Sequence, residues 1–378
     1  MLSFEAIHGD FFVTTVPLRF TLFNLTQFAY LAFGIMLSIF VAAENWHPAR
    51  LLSTLKLYLW SSVFVAAWGL FQFWCYMTGH SYPTYVFNTS KNVSATGYLE
   101  TISATGFSWG RISSVAQEPS VLAYVLVAAL ALLLVCPAFE CPIWPRGRNW
   151  LAIVLIVAAL AVSTSTTAYI GMFAILILVG VALLRAGKRQ WKNYAAVAVA
   201  GLVIGTFLVE RVPLLGSLAD FLLLHKYSGM NSGSTRLESV NIAAQSFLHY
   251  PIFGAGWPTV QSWDLALLIL ANMGIVGLLA FAVFLVPVLR SLWRLNASGS
   301  LLATMVLPVL SWALLSAEGG GLSYGMGFFW LVFGVGAGAA VAAKVRLPAT
   351  LAGQRKGRVV RQPTTGMVRS VSEDLSRT

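Results

Sequence analysis

Apolar stretches long enough to cross a bilayer recur along nearly the whole chain, and they constrain the fold more than any other feature. A transmembrane helix needs about 20 consecutive apolar residues. Only 10% of the 378 residues are charged, whereas soluble domains are about 25% charged. Four stretches clearly reach the required length, namely 22–43, 57–78, 119–139 and 264–286. The chain is therefore predicted to be all-α, a polytopic transmembrane helical bundle.

Further apolar stretches raise the predicted number of spans to about nine. Residues 150–184 are too long for one span, and the polar run Ser163–Thr167 predicts a tight turn between two short helices. The stretches 194–209, 301–316 and 324–343 are short for a span but have no other plausible location. Residues 1–343 are thus predicted to form one membrane domain.

The basic residues predict the orientation. Net charge is +11, and alternating nine spans puts 18 of the 24 Lys and Arg residues on the side of the C-terminus. Such an imbalance is typical of cytoplasmic segments, so the charge marks topology and not nucleic-acid binding. The tail 344–378 is predicted to be a disordered, basic, cytoplasmic segment. This count leaves the first 21 residues outside, so we expect either an N-terminally shortened chain or a miscounted helix.

Two longer segments, about 80–118 and 210–262, are predicted to lie on the outer face, where loops can carry chemistry. In the second, Thr235 and Glu238 match a capping box, which predicts that an amphipathic helix begins there and ends before Pro251. Arg236 would lie in its first turn. Free amides and a guanidinium there suit a phosphate group, although a lipid-facing or solvated arginine explains the position as well.

The first outer segment ends with a basic and an acidic residue near the membrane. Arg111 precedes Glu118 by seven residues, and Pro119 suits the first position of the next helix. The pair is either an interfacial ion pair or an anion clamp beside a carboxylate base.

Other polar residues are weaker candidates for chemistry. His249 is either a second candidate base or an interfacial histidine, and Gly254 with Gly256 indicates a backbone bend more than a phosphate cradle. Histidine, aspartate and glutamate show no zinc or magnesium spacing, and the three cysteines show neither metal nor disulfide spacing. We expect a site without metal or cofactor.

Two motifs resemble the bacterial O-antigen polymerase and O-antigen ligase family. One runs from Arg236 through His249-Tyr250-Pro251-Ile252-Phe253-Gly254-Ala255-Gly256 to Gly274 and Gly277, and the other is Gly110-Arg111 followed by Glu118-Pro119-Ser120. The turn at 163–167 is also similar to the family's layout. The family's ligases carry a His-Asn pair where this chain has Trp263-Asp264, and the family usually has more helices.

The resemblance implies a metal-independent glycosyltransferase of the bacterial inner membrane. Its substrate would be an undecaprenyl-diphosphate-linked oligosaccharide on the periplasmic or extracellular face, and its product O-antigen, capsule or exopolysaccharide. Membrane lipid is an expected contact, and a repeat-unit flippase and a chain-length regulator are candidate partners. Arg111 and Arg236 match the family's essential arginines.

The residues themselves suggest matching roles. The arginines would stabilise the departing diphosphate, with Glu118 as the first candidate base and His249 as the second. Trp109, Trp257, Tyr227 and Asp264 are candidate substrate-binding residues, although interfacial belts explain the aromatic residues equally well.

We predict a polymerase that joins repeat units, because Trp263-Asp264 stands where the resembling ligases carry their His-Asn pair. Three alternatives stay open. An O-antigen ligase would transfer finished glycan to a lipid core. A polysaccharide or lipid transporter would place charges at mid-membrane depth, whereas these predicted spans are nearly free of charge. A structural membrane partner without activity is the third.

We predict that the C-terminus is cytoplasmic and that 80–118 and 210–262 are outside, because of the charge imbalance. An alkaline phosphatase fusion after residue 360 should be inactive, and one in either outer segment active. Activity of the fusion after residue 360 would contradict this topology.

Overall fold

The structure is a computed structural model that describes residues 22–83, 101–104, 107–116, 118–139, 143–211, 232–319 and 326–344. All of them belong to one compact unit, Met1–Val345. The predicted tail lies outside the described residues except for Lys344. The same is true of much of the two predicted outer segments, including residues 84–100 and 212–231.

The described residues are almost entirely helical, which confirms the predicted all-α class. The helices are α1 Leu22–Glu44, α2 Pro48–Thr78, α3 Pro119–Val135, α4 Arg146–Val162, α5 Thr166–Arg185, α6 Trp191–Arg211, α7 Ser232–His249, α8 Leu265–Ala297, α9 Leu301–Gly319 and α10 Gly327–Ala342. A short 3-10 turn, Cys136–Phe139, extends α3. An antiparallel hairpin of β1, Thr101–Ala104, and β2, Phe107–Gly110, was not predicted, and it pairs Thr101 with Gly110.

Six helices are long and apolar enough to cross a membrane on their own, namely α1, α2, α3, α5, α8 and α9. The shorter α10 is also apolar, and α4 and α6 lie where the remaining spans are predicted. The chain is thus a multi-pass membrane protein. The turn predicted at the polar run is confirmed, since α4 ends at Val162 and α5 begins at Thr166.

Helices α3 and α9 form the centre of the bundle. In the most apolar 18-residue stretch of each helix, 78% of the residues are buried in α3 and 72% in α9, against 11% in α1. A helix that is apolar on all sides is stable only when neighbours or lipid surround it. Close packing of α5 against this centre depends on Gly171, since a Cβ there would lie 2.6 Å from the Trp312 ring. The same ring donates its Nε1–H to the Tyr124 carbonyl at 3.1 Å.

Contacts between helix ends define one strongly basic end of the bundle. The Arg185 guanidinium lies 3.9 Å from the centre of the Trp293 ring, and the Lys188 ammonium lies 4.2 Å from that of Phe139. Asn296 donates to the Ala182 carbonyl at 2.9 Å. The C-terminal ends of α5 and α8 therefore lie together at this end.

Helix α8 is broken at Gly274, whose φ of 65° and ψ of −165° are not helical. Beyond the break, the Ile275 and Val276 amides donate to the carbonyls of Pro251 and Ile252 at 2.9 and 3.2 Å. Before it, the carbonyl of Ala271 accepts from the Ala255 amide at 2.8 Å. The 251–256 turn thus satisfies the backbone groups that the break exposes, as a bilayer requires.

The glycine motif acts through backbone conformation, as predicted, and also through close approach to a neighbouring helix. Gly254 and Gly256 both have positive φ, at 71° and 99°. A Cβ on Gly254 would lie 2.3 Å from the backbone of Asn272, which forms the other side of the contact. These glycines allow the turn to approach α8 closely.

The predicted amphipathic helix exists as α7, but its predicted start was wrong. It begins at Ser232, so Thr235 is a helical residue and not the cap. Its buried residues are small or polar in part, namely Ser239, Ile242, Ala243 and Ser246, whereas Leu237 and Leu248 are exposed. The face that packs on α8 therefore carries small and polar side chains, which allow two helices to approach closely.

We predict that Gly274→Ala destabilises the fold far more than Gly187→Ala. Both glycines have positive φ, but a Cβ on Gly187 would meet nothing within 4 Å, whereas one on Gly274 would lie 2.2 Å from the Ile252 carbonyl oxygen. The conformation alone costs alanine roughly 1–2 kcal/mol, and that of Gly274 is essentially restricted to glycine. Thermal unfolding in detergent should show the larger loss for Gly274→Ala, and equal shifts would contradict the packing argument.

Candidate functional site

Arg236 lies in the second turn of α7 and is half-buried. Its guanidinium carbon is 4.6 Å from the centre of the Trp263 ring, a cation–π distance. Its Nε is buried and has no hydrogen-bond partner among the residues that the structure describes. The aromatic surface thus orients a planar cation that retains an unused donor.

Trp263 occupies its place because Asp264 begins α8 immediately after it. Asp264 is the N-cap, and its Oδ1 accepts the Leu267 amide at 2.7 Å. Glu318, at the end of α9, accepts the Ala266 amide at 3.2 Å. Two carboxylates therefore occupy this helix N-terminus, where the helix dipole favours negative charge.

Glu118 is the N-cap residue of α3, but its side chain makes no capping hydrogen bond. Pro119 follows at the first helical position, as predicted. The Glu118 side chain is exposed, and its Oε2 accepts the Ser120 hydroxyl at 3.0 Å. The Glu118 carboxylate is therefore held at the start of α3 but does not cap the helix.

Both Glu118 and Arg236 act electrostatically on Tyr124. Its phenol, one turn into α3, lies within electrostatic range of both the Arg236 cation and the Glu118 carboxylate, and it interacts with Ser120. The start of α3 and the start of α7 therefore face the same region.

Arg111 follows β2 and is half-buried. Its charge acts on the Tyr169 phenol in the first turn of α5. The segment after it is fixed to α2, because Gln72 Oε1 accepts the amides of Ser113 and Ser114 at 3.1 and 2.8 Å. The buried Gln72 thus fixes the path of the chain just after Arg111.

The three residues Arg111, Glu118 and Arg236 lie at one end of the bundle, which we call the site end. Tyr124 and Tyr169 are on α3 and α5, which pack directly on each other. Trp312 contacts both helices near these tyrosines. Arg236 and Glu118 therefore act on the α3 side of this contact, at Tyr124, and Arg111 acts on the α5 side, at Tyr169.

His249 lies apart from this group. It is the last residue of α7, exposed, and its Nδ1 is 2.8 Å from the Gln245 carbonyl. It lies thirteen positions after Arg236, which corresponds to about 20 Å at a helical rise of roughly 1.5 Å per residue. The structure therefore does not bring His249, the second candidate base, close to Arg236.

Two of the four predicted substrate-binding residues, Trp257 and Asp264, have described side chains. Trp257 is buried, with 6% of its surface exposed, and its carbonyl accepts from Asn24 at 2.9 Å. Asp264 is a helix cap. Trp109 belongs to β2, but its side chain lies outside the described residues, as does all of Tyr227. Their roles toward a substrate stay predictions.

Sequence reasoning missed three residues of this region. Trp263 was noted only as a departure from a motif, and nothing in the local sequence indicated its contact with Arg236. Ser120 was named only as part of a motif and was given no role, and Glu318 was not named. Glu318 had a usable signal, since an acidic residue in an otherwise apolar span indicates a specific partner.

Within the described ranges, no group of three or more His, Cys, Asp or Glu residues could hold a metal ion. The expected independence of metal and cofactor stays a prediction.

One family model, described as O-antigen ligase, matches residues 151–266. This region contains Arg236, His249, Trp257 and Asp264, whereas Arg111 and Glu118 lie before it. No curated protein matches the chain.

A chain of the solved structure described as structural coordination of polymerization and crosslinking by a peptidoglycan synthase complex is also similar. The identity is 13%, the TM-score is 0.46, and the alignment covers 85% of this chain and 92% of that one. A likeness this weak carries no functional argument.

The family match covers the turn at 163–167 and the Arg236 motif, both of which suggested the same family from the sequence. Residues 151–266 therefore match the O-antigen ligase family, which confirms that resemblance and supports a membrane glycan-processing function for this multi-pass protein.

Proposed function

We propose that this protein is an inner-membrane polysaccharide polymerase that joins undecaprenyl-diphosphate-linked oligosaccharide repeat units on the outer face. The observation that carries the proposal is that Arg236 and Glu118 both act on the Tyr124 phenol at the site end. Arg236 lies on the Trp263 ring with a buried Nε that the described protein leaves unused, and its guanidinium suits a planar oxyanion such as a phosphate. Arg185 at the basic end shares the ring contact and the unused Nε, so the nearby carboxylate is what distinguishes Arg236.

The reaction requires stabilisation of a departing diphosphate. The bond between the donor sugar's anomeric carbon and the phosphate oxygen breaks, and undecaprenyl diphosphate leaves with the electron pair. The acceptor hydroxyl forms the new glycosidic bond. Arg236 and Arg111 would stabilise the leaving anion, since cations fixed before the reaction cost little reorganisation in a site of low polarity.

Glu118 would accept the proton of the acceptor hydroxyl. It is exposed and lies within electrostatic range of the same phenol as Arg236, and Ser120 fixes one of its oxygens while the other is available. His249 is a poorer base in this proposal, because about 20 Å of helix separates it from Arg236.

The residues at 263 and 264 favour a polymerase over a ligase that uses a histidine at this position. Trp263 supports Arg236, and its indole cannot accept a proton. Asp264 is engaged as the helix cap. The ligase stays a second candidate, since the matching family model is described as O-antigen ligase.

We predict that Arg111→Ala and Arg236→Ala each abolish polysaccharide elongation at unchanged protein level. Loss of one preorganised donor typically lowers a rate about 10²–10³-fold. Lysine replacements should restore activity only in part, because lysine keeps the charge but loses the planar fork.

Arg50→Ala is the matched control for these variants. Arg50 forms an exposed ion pair with Glu44 at 2.7 Å, and such pairs contribute only about 0–1 kcal/mol. Its elongation should equal that of the wild type. Full elongation by either site alanine variant would remove that arginine from the mechanism.

We also predict that deletion of the protein leaves surface lipid carrying at most one repeat unit. A polymerase is needed only for the second and later units, so a single unit can still be transferred. Gel profiles of surface polysaccharide, together with analysis of the undecaprenyl-linked pool, measure this. Loss of single units as well, with full-length chains accumulating on undecaprenyl diphosphate, would identify a ligase instead.

A further inference from the structure

A cleft of about 390 Å³ lies between the end of α3 and the start of α4. This volume is within the range of small-ligand sites. The lining residues are Cys136, Pro137, Trp144, Pro145, Arg146, Asn149 and Trp150. Its position is at the basic end, since Phe139 in the same connection contacts Lys188. It therefore lies apart from the site end.

Trp144 lines the cleft and carries a hydrogen-bond donor that no described residue uses. The residue is only 9% exposed, and its indole Nε1 is buried without a hydrogen-bond partner among the described residues. The Trp60 ring holds it edge-on, with centroids 5.0 Å apart. A buried indole N–H usually has an acceptor, so an acceptor from outside the described chain would complete this one.

The start of α4 adds further donors and positive charge. Its N-cap, Pro145, offers no capping side chain, and no acidic residue occupies the first turn. The first amides are thus open to an anion. Arg146 and Arg148 lie in the same turn, where the helix dipole opposes cations. An anion bound there would satisfy the amides and offset the repulsion.

Helix α4 also continues the cleft with an apolar surface. Trp150, Leu151 and Val154 are 58%, 61% and 61% exposed. In a membrane span these side chains face lipid. A ligand with an anionic head and hydrocarbon chains matches both parts, whereas free phosphate matches only the first.

We propose that this cleft binds the phosphate headgroup of an anionic membrane lipid, with its acyl chains along the exposed face of α4. The orientation rule for basic residues accounts for Arg146 and Arg148. That rule does not account for the buried Trp144 donor or for the cleft that Trp144 and Arg146 line. The lipid would fix the α3–α4 connection at the basic end, independently of the reaction at the site end.

Native mass spectrometry of the full-length protein in detergent, mixed with phosphatidylglycerol or phosphatidylcholine, tests the proposal. Retained phosphatidylglycerol should exceed phosphatidylcholine in the wild type. Arg146→Ala and Trp144→Phe should each reduce that retention about tenfold, the loss expected for one hydrogen bond to a charged group. Trp144→Phe keeps an aromatic ring and removes only the N–H.

Arg189→Ala is the control, since it removes an exposed cation near the same end that does not line the cleft. It should retain the lipid as the wild type does. Equal loss in all three variants would overturn the proposal in favour of general attraction to basic residues. A separate arm measures thermal unfolding with inorganic phosphate alone. Stabilisation by phosphate that equals that by phosphatidylglycerol, and is lost in the same two variants, would reject a lipid as the occupant.

Discussion

The arrangement of the site end depends on how the broken α8 satisfies its backbone. A helix interrupted inside a bilayer must find partners for the exposed amides and carbonyls, and here the 251–256 turn supplies them. Asn272, just before the break, also holds the following segment, since its side chain bonds both the amide and the carbonyl of Val260 at 2.9 and 2.7 Å. That segment leads directly into Trp263 and Asp264. The position of Arg236 over Trp263 therefore follows from a backbone requirement some ten residues away.

The remaining part of the site end depends on the central helices. Glu118 and Tyr124 belong to the start of α3, and Arg111 reaches the start of α5 through Tyr169. Because α3 and α5 pack closely through Gly171 and Trp312, segments far apart in sequence meet at one place. The residues of the matched domain and those before it thus contribute to a common region.

The sequence predicted the parts of this fold that local patterns control. Hydropathy located the spans, and the polar run located the turn before Thr166, because a bilayer excludes both long polar stretches and overlong helices. The glycine motif was correctly interpreted as a backbone bend. The start of α7 was wrong, since Thr235 and Glu238 matched a capping box while the helix begins at Ser232.

The contacts that give the candidate site its chemistry could not be predicted in the same way. Trp263 beneath Arg236, and Glu318 at the start of α8, are tertiary pairs. Their sequence separations leave no periodic signal. The separation between His249 and Arg236, by contrast, could be predicted. Helical rise alone gives it once both residues are placed on one helix. A motif that brings residues together in sequence need not bring them together in space.

The two ends of the bundle carry charge in different ways, and this difference bears on function. At the basic end, Arg185 and Lys188 lie on the Trp293 and Phe139 rings, and the orientation rule for basic residues accounts for cations there. At the site end, two cations and one carboxylate from different segments act on the buried Tyr124 and the half-buried Tyr169. Collecting opposite charges beside a membrane core is costly unless each charge has a specific partner or substrate. Topology alone requires no such convergence, so the charges at the site end favour it over the basic end as the place of the reaction.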